Sequence, residues 1–84
     1  MPWMPSARDA ILALAAERGP GKTFCPSEAA RRMAEDWRPL MPEVRREAGA
    51  LAAQGRLRIT QGGETVEAEK AEGPIRLGLP GEAP

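Results

Sequence analysis

The stretch "WRPLMPEVRREAGALAAQGRLRITQGG", from Trp37 to Gly63, changes periodicity partway along and so decides the fold. Two prolines near its start bracket a turn, and apolar residues then recur at helical spacing. After Gly55 the pattern alternates instead, with Leu57 and Ile59 on one side of the chain and arginines on the other. The stretch therefore predicts a turn, a helix from about Pro42 to Gln54, and a half-buried strand.

The sequence before this stretch predicts two further helices. Ser6 is placed to cap a helix from about Ala7 to Arg18, which the run Gly-Pro-Gly would end. After a short extended segment, "KTFC", Pro26 opens a second helix that we expect to end near Asp36. Apolar residues at helical spacing mark its core side: Ala29, Ala30, Met33 and Trp37. We expect Trp37 to be substantially buried, and Trp3 and Phe24 to mark the core or its edge.

A second alternating segment, "PIRLGL", follows the long stretch and turns Ile75, Leu77 and Leu79 to one side. We expect it to pair with the strand around Ile59 as a hairpin whose long tip begins at Gly62 and Gly63. The predicted fold class is α+β, a winged helix with three helices, a short strand and a C-terminal β-hairpin wing. A single domain is expected, with its core in residues 6–79 and a flexible tail in residues 80–84.

Three segments also carry a family resemblance: "GPGKTFCPSEAARRM", "DWRPLMPEVRREAGALAAQGRLRITQGG" and "GPIRL". Together they resemble a small family of uncharacterised bacterial proteins, a domain-of-unknown-function family with a winged-helix-like fold. The resemblance extends from about Ala10 to Leu79. It implies a fold and a bacterial origin, but no activity, because no catalytic or binding residues are established for that family.

The composition limits the classes of function. The chain of 84 residues has 12 basic and 12 acidic residues, so no overall field attracts phosphate, and a nucleic-acid site must be a local patch. The absence of histidine and the single cysteine argue against a catalytic triad and a metal centre, so we expect neither enzyme activity nor a cofactor. The apolar run "AILALAA" is too short to span a membrane, and a lone thiol suits the cytoplasm.

Two motifs receive ordinary structural interpretations. The stretch "AERGPGKT" approaches a phosphate-binding loop, but Ala16 replaces the first glycine, and the segment leaves a helix where that loop should enter one. Cys25 precedes Pro26 at the start of the second helix, where a helix dipole favours a thiolate. With no histidine to act as a base, we expect Cys25 to be a core or capping residue.

The third predicted helix poses the functional question. Its core side carries Val44, Ala48, Leu51 and Ala52, and its outward side carries Arg46, Gly49, Ala50 and Ala53. Reading bases requires long polar side chains, so this face predicts poor sequence-specific readout. The fold should gather a basic concentration around the helix and the root of the wing: Arg38, Arg45, Arg46, Arg56, Arg58 and Arg76. The tip of the wing is acidic, and solvated or ion-paired arginines are an equal alternative.

Two functional interpretations remain. The first is a nucleic-acid-binding module that contacts DNA phosphates through these arginines and reads little sequence. The second is a protein-interaction module with the same fold, whose partner would dock at Gly49, Ala50 and Ala53. The precedent of the fold and the arginine cluster favour the first, whereas net neutrality and the acidic tip favour the second. In either case we expect a monomer at micromolar concentration.

Overall fold

Three helices come first in the chain and most of a β-sheet comes after them, as the change in periodicity predicts. The computed structural model describes residues 5–68 and 70–80. Their elements are, in order, α1 (Ala7–Arg18), β1 (Thr23–Phe24), α2 (Pro26–Met33), a 3₁₀ turn (Arg38–Leu40), α3 (Met41–Ala53), β2 (Arg58–Gln61), β3 (Glu64–Thr65) and β4 (Arg76–Gly78). The α+β class is confirmed. Trp3, Glu69 and residues 81–84 of the expected tail lie outside the described residues.

Helix α1 has the predicted bounds. The Ser6 hydroxyl accepts a hydrogen bond from the backbone N–H of Asp9 at 3.1 Å, which satisfies one of the free donors of the first turn. At the other end, Gly19 adopts φ 81°, a conformation that glycine reaches at little cost, and its N–H donates to the Ala15 carbonyl. A polar cap and a glycine stop thus fix both ends of the helix.

Helix α2 is shorter than expected, and this corrects the prediction that Trp37 lies on its core side. The helix ends at Met33, and Ala34 is extended at φ −163° and ψ 156°. A longer helix would place Glu35 and Asp36 at the negative end of its dipole, which is unfavourable. Trp37 therefore lies in the turn before α3, where it is partly exposed but packs against the edge of the core, in agreement with the burial expected for it.

Helix α3 lies within one residue of its predicted bounds. Its buried side consists of Val44, Ala48 and Leu51, while Ala52 is half-buried at the edge. At its C-terminal end Gly55 adopts φ 75°, and the N–H of Arg56 donates to the Leu51 carbonyl at 2.9 Å. This glycine stop turns the chain from helix into strand.

The sheet is antiparallel throughout, with strand order β1-β4-β2-β3. The predicted pairing of β2 with β4 is confirmed and sets Ile59 opposite Leu77. The expected long hairpin tip is wrong, because the chain folds back at once through Gly62 and Gly63. Their φ angles of 61° and 86° suit a two-residue hairpin turn, so β3 forms and pairs with β2.

One apolar cluster joins the three helices to the inner face of the sheet. Its largest fully buried side chains are those of Phe24, Ile11, Leu14, Leu51, Ile59, Ile75, Leu77, Val44 and Pro26. Leu79 was expected to point inward and is half-buried. Within residues 5–68 and 70–80 no charged or polar residue is buried, and no helix is long and apolar enough to cross a membrane. The charged side chains of these described residues are therefore exposed or partly exposed.

Candidate nucleic-acid interface

The six predicted arginines lie on three parts of the surface. Arg38 opens the 3₁₀ turn, Arg45 and Arg46 lie on α3, and Arg56 follows α3. The other two, Arg58 and Arg76, lie on β2 and β4. All of them are exposed except Arg45, which is half-buried.

Arg45 is directed into the fold. Its guanidinium donates to the carbonyl of Ala71 at 3.1 Å and to those of Ala68 and Gly73 at 3.4 Å. The segment from residue 66 to residue 74, which we call the return loop, connects β3 to β4; its first residue, Val66, still donates to the Ile59 carbonyl of β2 at 2.9 Å, and its other described residues form no strand. Arg45 holds this loop against α3, so a phosphate at Arg45 would have to compete with three backbone carbonyls.

Arg58 and Arg76 share the outward face of the sheet. The register sets Arg58 opposite Gly78 and Thr60 opposite Arg76, so the two arginines are diagonal neighbours on adjacent strands. Arg58 donates through Nε to the Thr65 hydroxyl at 3.2 Å. Arg76 donates through Nε to the Thr23 hydroxyl and through Nη2 to the Thr23 carbonyl, both at 3.1 Å. These bonds orient both guanidinium groups and leave terminal N–H donors at the surface.

Arg38 stacks on Trp37, and so does an arginine that the sequence did not single out. The guanidinium carbons of Arg38 and Arg31 each lie 4.7 Å from the centre of the indole ring, which is cation–π geometry. No periodicity in the sequence predicts this contact. Arg31 is on α2 and Trp37 is in the turn, and they meet only because the helix ends early.

The outward side of α3 is partly covered by the chain itself. A Cβ placed at Gly49 would lie 3.9 Å from the Cβ of Ala68 in the return loop, so the close approach that this glycine permits is internal. Beside it runs a groove of about 590 Å³, lined by Arg46, Gly49, Ala50, Ala52, Ala53, Ile59, Thr65, Val66, Glu67 and Ala68. Ala50 and Ala53 stay exposed, whereas Gly49 is half-buried.

Ion pairs form away from the predicted arginines. Glu17 pairs with Arg32 at 2.5 Å, and Glu28 pairs with Arg18, so two bridges join α1 to α2. A third links Lys70 and Glu67 in the return loop at 3.3 Å. Within residues 5–68 and 70–80, no carboxylate forms an ion pair with any of the six predicted arginines.

These bridges shift the acidity of their partners. Hydrogen bonds from Arg32 lower the pKa of Glu17, and the same contact raises the pKa of the Arg32 guanidinium. For Glu28, burial alone would raise the pKa of the carboxyl group. The Cys25 backbone N–H, which donates at 3.1 Å, and the Arg18 guanidinium, with a smaller contribution from the charge of Arg76, together outweigh burial and lower it.

Cys25 occupies the N-cap position of α2 and is half-buried. Its sulfur accepts a hydrogen bond from the Ser27 hydroxyl at 3.2 Å. In the part of the chain that the structure describes, no cluster of three or more histidine, cysteine, aspartate or glutamate side chains could hold a metal ion.

Comparison with known proteins identifies the family of the chain but no activity for it. None of the curated proteins compared with the chain matches it. The matching family model, "Protein of unknown function (DUF3253)", extends over residues 5–80 and so includes every described helix and strand. The chain therefore belongs to the DUF3253 family, a domain family of unknown function.

Proposed function

We propose that this protein is a winged-helix module that binds nucleic acid through its phosphates and reads little sequence. The order helix, strand, helix, helix and antiparallel strands is that of winged-helix domains, in which α3 would be the recognition helix and the strands after it the wing. The proposed contacts are Arg38, Arg46, Arg56, Arg58 and Arg76. Arg45 has the separate role of holding the return loop.

One observation carries the proposal: the proposed contacts form no ion pair within the described residues, although the chain has as many acidic as basic residues. Of these contacts, Arg76 lies near enough to Glu28 to help lower the pKa of that carboxyl group. The acidic partners in the α1–α2 bridges are matched with Arg18 and Arg32 instead. A guanidinium group that is not paired with a carboxylate can donate two parallel N–H hydrogen bonds to the oxygens of a phosphate. A neutral chain can thus carry a local basic surface.

The exposed side of α3 supports weak sequence readout. Of its outward residues Arg46, Ala50 and Ala53, only Arg46 has donors that could reach a base edge. Affinity would then come from phosphate contacts, which are the same for every sequence. The proposal includes a binding role rather than catalysis, and a cytoplasmic location.

The test is binding of labelled duplex DNA across a salt series. The logarithm of the association constant should fall linearly with the logarithm of salt concentration, with a slope of about 0.9 per phosphate contact. In the double variant Arg46→Gln with Arg58→Gln, the slope should decrease by about 1.8. The matched control is Arg8→Gln with Arg32→Gln, which removes the same charge outside the proposed contacts and should keep the parent slope. Absence of binding at low salt would overturn the proposal.

A second candidate, docking of a protein partner, is favoured by the groove beside α3. Its lining is mostly small and apolar, with Arg46 and Glu67 as its charged residues. This candidate predicts no affinity for DNA at any salt concentration. It also predicts that Ala50→Arg, which would fill the groove, abolishes partner binding while the thermal unfolding midpoint stays at the parent value.

A further inference from the structure

Trp37 lies at the corner between α2 and α3 and carries two stacked guanidinium groups. The ring is half-buried and packs against the apolar core, so the core itself holds it in place. Arg31 reaches it from the last turn of α2, and Arg38 from the start of the 3₁₀ turn that leads into α3. We call these three residues the arginine stack.

Stacking uses the flat face of a guanidinium and leaves its N–H donors, which lie in the plane of the group, without partners. In the described part of the chain, neither Arg31 nor Arg38 makes an ion pair or a side-chain hydrogen bond. Arg45, Arg58 and Arg76 each use at least one donor inside the fold. Arg46 and Arg56 make no such contact in the described residues either, but the arginine stack differs from them because one ring holds two guanidinium groups whose donors remain available.

The stack also restricts both side chains before any ligand arrives. A free arginine loses rotamer freedom when it is held in one contact, and this loss opposes binding. Contact with a fixed indole removes part of that freedom in advance. Two restricted cations held by one ring suit a ligand with repeated negative charges, and the phosphodiester backbone has this chemistry.

We infer that Arg31 and Arg38, held by Trp37, contact neighbouring phosphates of a nucleic-acid backbone at the corner between α2 and α3. This inference rests on the proposed function and adds to it Arg31, a contact that the sequence did not predict, and Trp37, a positioning residue. Glu35 and Asp36 lie in the same corner and are exposed, without an ion pair to either arginine in the described residues. Their negative charges would weaken the attraction of any anion to this corner. Binding of a phosphate backbone would therefore depend on the way Trp37 positions the two guanidinium groups.

The experiment repeats the salt series with labelled duplex DNA on the double variant Arg31→Gln with Arg38→Gln. Both residues are exposed, so the variant should fold, and its circular dichroism melt verifies this. The slope should decrease by about 1.8 relative to the parent, as expected for two lost phosphate contacts. The control is again Arg8→Gln with Arg32→Gln, which changes the net charge equally and should leave the slope unchanged.

The variant Trp37→Leu tests the positioning role of the indole ring separately from the charges of Arg31 and Arg38. This variant keeps both arginines but removes the ring that orders them, so affinity should fall several-fold. Trp37→Phe, which retains an aromatic face, should restore most of the loss. Equal affinity in the leucine variant and the parent would contradict the positioning role.

The outcomes distinguish this inference from the proposed function. If the parent binds DNA and the Arg31 and Arg38 double variant keeps the parent slope, the inference is wrong and the proposed function stands. If the parent does not bind DNA, the proposed function fails and the inference fails with it. If the double variant loses affinity only for a poly-glutamate peptide, the stack belongs to an acidic protein partner, and the inference is overturned.

Discussion

Gly49 and Gly78 both lie inside regular elements, yet their surroundings differ at the level of single atoms. An added Cβ at Gly49 would find ordinary contact with Ala68. At Gly78 it would lie 2.9 Å from the Lys22 carbonyl oxygen and 3.3 Å from the Thr23 methyl group. One glycine is tolerated by the fold, and the other is required by the close approach of β1 to β4.

We expect Gly49→Ala to stabilise the protein by about 1 kcal/mol, because alanine has the higher helix propensity and its methyl group fits beside Ala68. Urea denaturation measures the change in the free energy of unfolding. A loss of stability would mean that α3 and the return loop pack too closely for a methyl group.

The opposite result is expected for Gly78→Ala. The new methyl group must push the backbone of β1 away from β4, and overpacking of this kind costs about 1 to 3 kcal/mol. The same urea experiment serves both variants, so each is the matched control of the other. If the variant were as stable as the parent, the register between Thr23 and Gly78 would be in doubt.

At the scale of elements, the return loop is fastened through its carbonyl groups. Arg45 binds those of Ala68, Ala71 and Gly73, and the Gln61 side-chain amide binds those of Glu72 at 2.7 Å and Pro74 at 3.0 Å. Donors on α3 and β2 thus replace the ladder that a strand would provide. These two side chains supplement the backbone hydrogen bond from Val66 to Ile59 and the burial of Ala68.

Arg45→Met should therefore loosen the return loop while leaving the helices intact. The variant retains apolar length but loses every donor, so amide hydrogen exchange should accelerate in residues 66–74 and stay at parent rates in α1. Arg45→Lys should restore little of the protection from exchange, because one ammonium group cannot make the hydrogen bonds to several carbonyls that the planar guanidinium makes. If the amides of the return loop exchanged at parent rates in Arg45→Met, Arg45 would not be what fastens the loop.

The bridge between α1 and α2 predicts a response to acid. The folded state lowers the pKa of Glu28 below its ordinary value of 4.5, so the stabilisation is complete above that value and is lost as the pH falls through the folded-state pKa. The thermal midpoint of the parent should therefore drop between pH 5 and more acidic solution. Glu28→Gln should show a smaller drop over the same range, measured by circular dichroism melts. An identical acid response in the two proteins would exclude Glu28 as a contributor.

The sequence predicts those elements whose limits depend on local chemistry. Ser6, Gly19 and Gly55 fix helix ends through capping and left-handed geometry, and alternation fixes the pairing of β2 with β4. The end of α2 was missed because spacing alone placed Trp37 on its core face. That early end creates the arginine stack, so the sequence could not predict it.

The candidate site was predictable as a set of residues but not as a set of roles. The charges of Arg45, Arg46 and Arg58 are the same in the sequence. Only the folded chain distinguishes Arg45, which faces backbone carbonyls, from Arg46, which is exposed beside a groove. The role of each arginine depends on the residues that contact it in the fold, and these contacts cannot be predicted from the periodicity of the sequence.

On the scale of the whole molecule, the ion pairs of the described residues lie away from the proposed contacts. Two of them join α1 to α2 and one lies in the return loop, whereas the proposed contacts around α3 and on the outward face of the sheet form no ion pair in the described residues. Exposed carboxylates lie near these contacts, so an anionic ligand would be attracted by individual arginines and not by a one-sided field.

We expect the protein to remain a monomer at micromolar concentration. The return loop already covers Gly49, so the small-residue face left for a second copy is narrow, and a stable interface needs about 1,200 Å². Sedimentation equilibrium measures the mass. A tight dimer that Ala50→Arg converts to a monomer would show instead that α3 is an interface, and would favour the protein-docking candidate.

The strand order carries a consequence for biosynthesis. β4 is the last of the described strands in the chain, yet it lies between β1 and β2 in the sheet. On a translating ribosome, β1 emerges early and cannot pair until the segment around Gly78 has left the exit tunnel. We therefore expect the nascent helices to wait with Phe24 and their apolar sides uncovered, and exposed apolar surface of this kind favours aggregation and chaperone binding. A chain that stops before Arg76 would keep this surface uncovered and should be degraded faster than the parent.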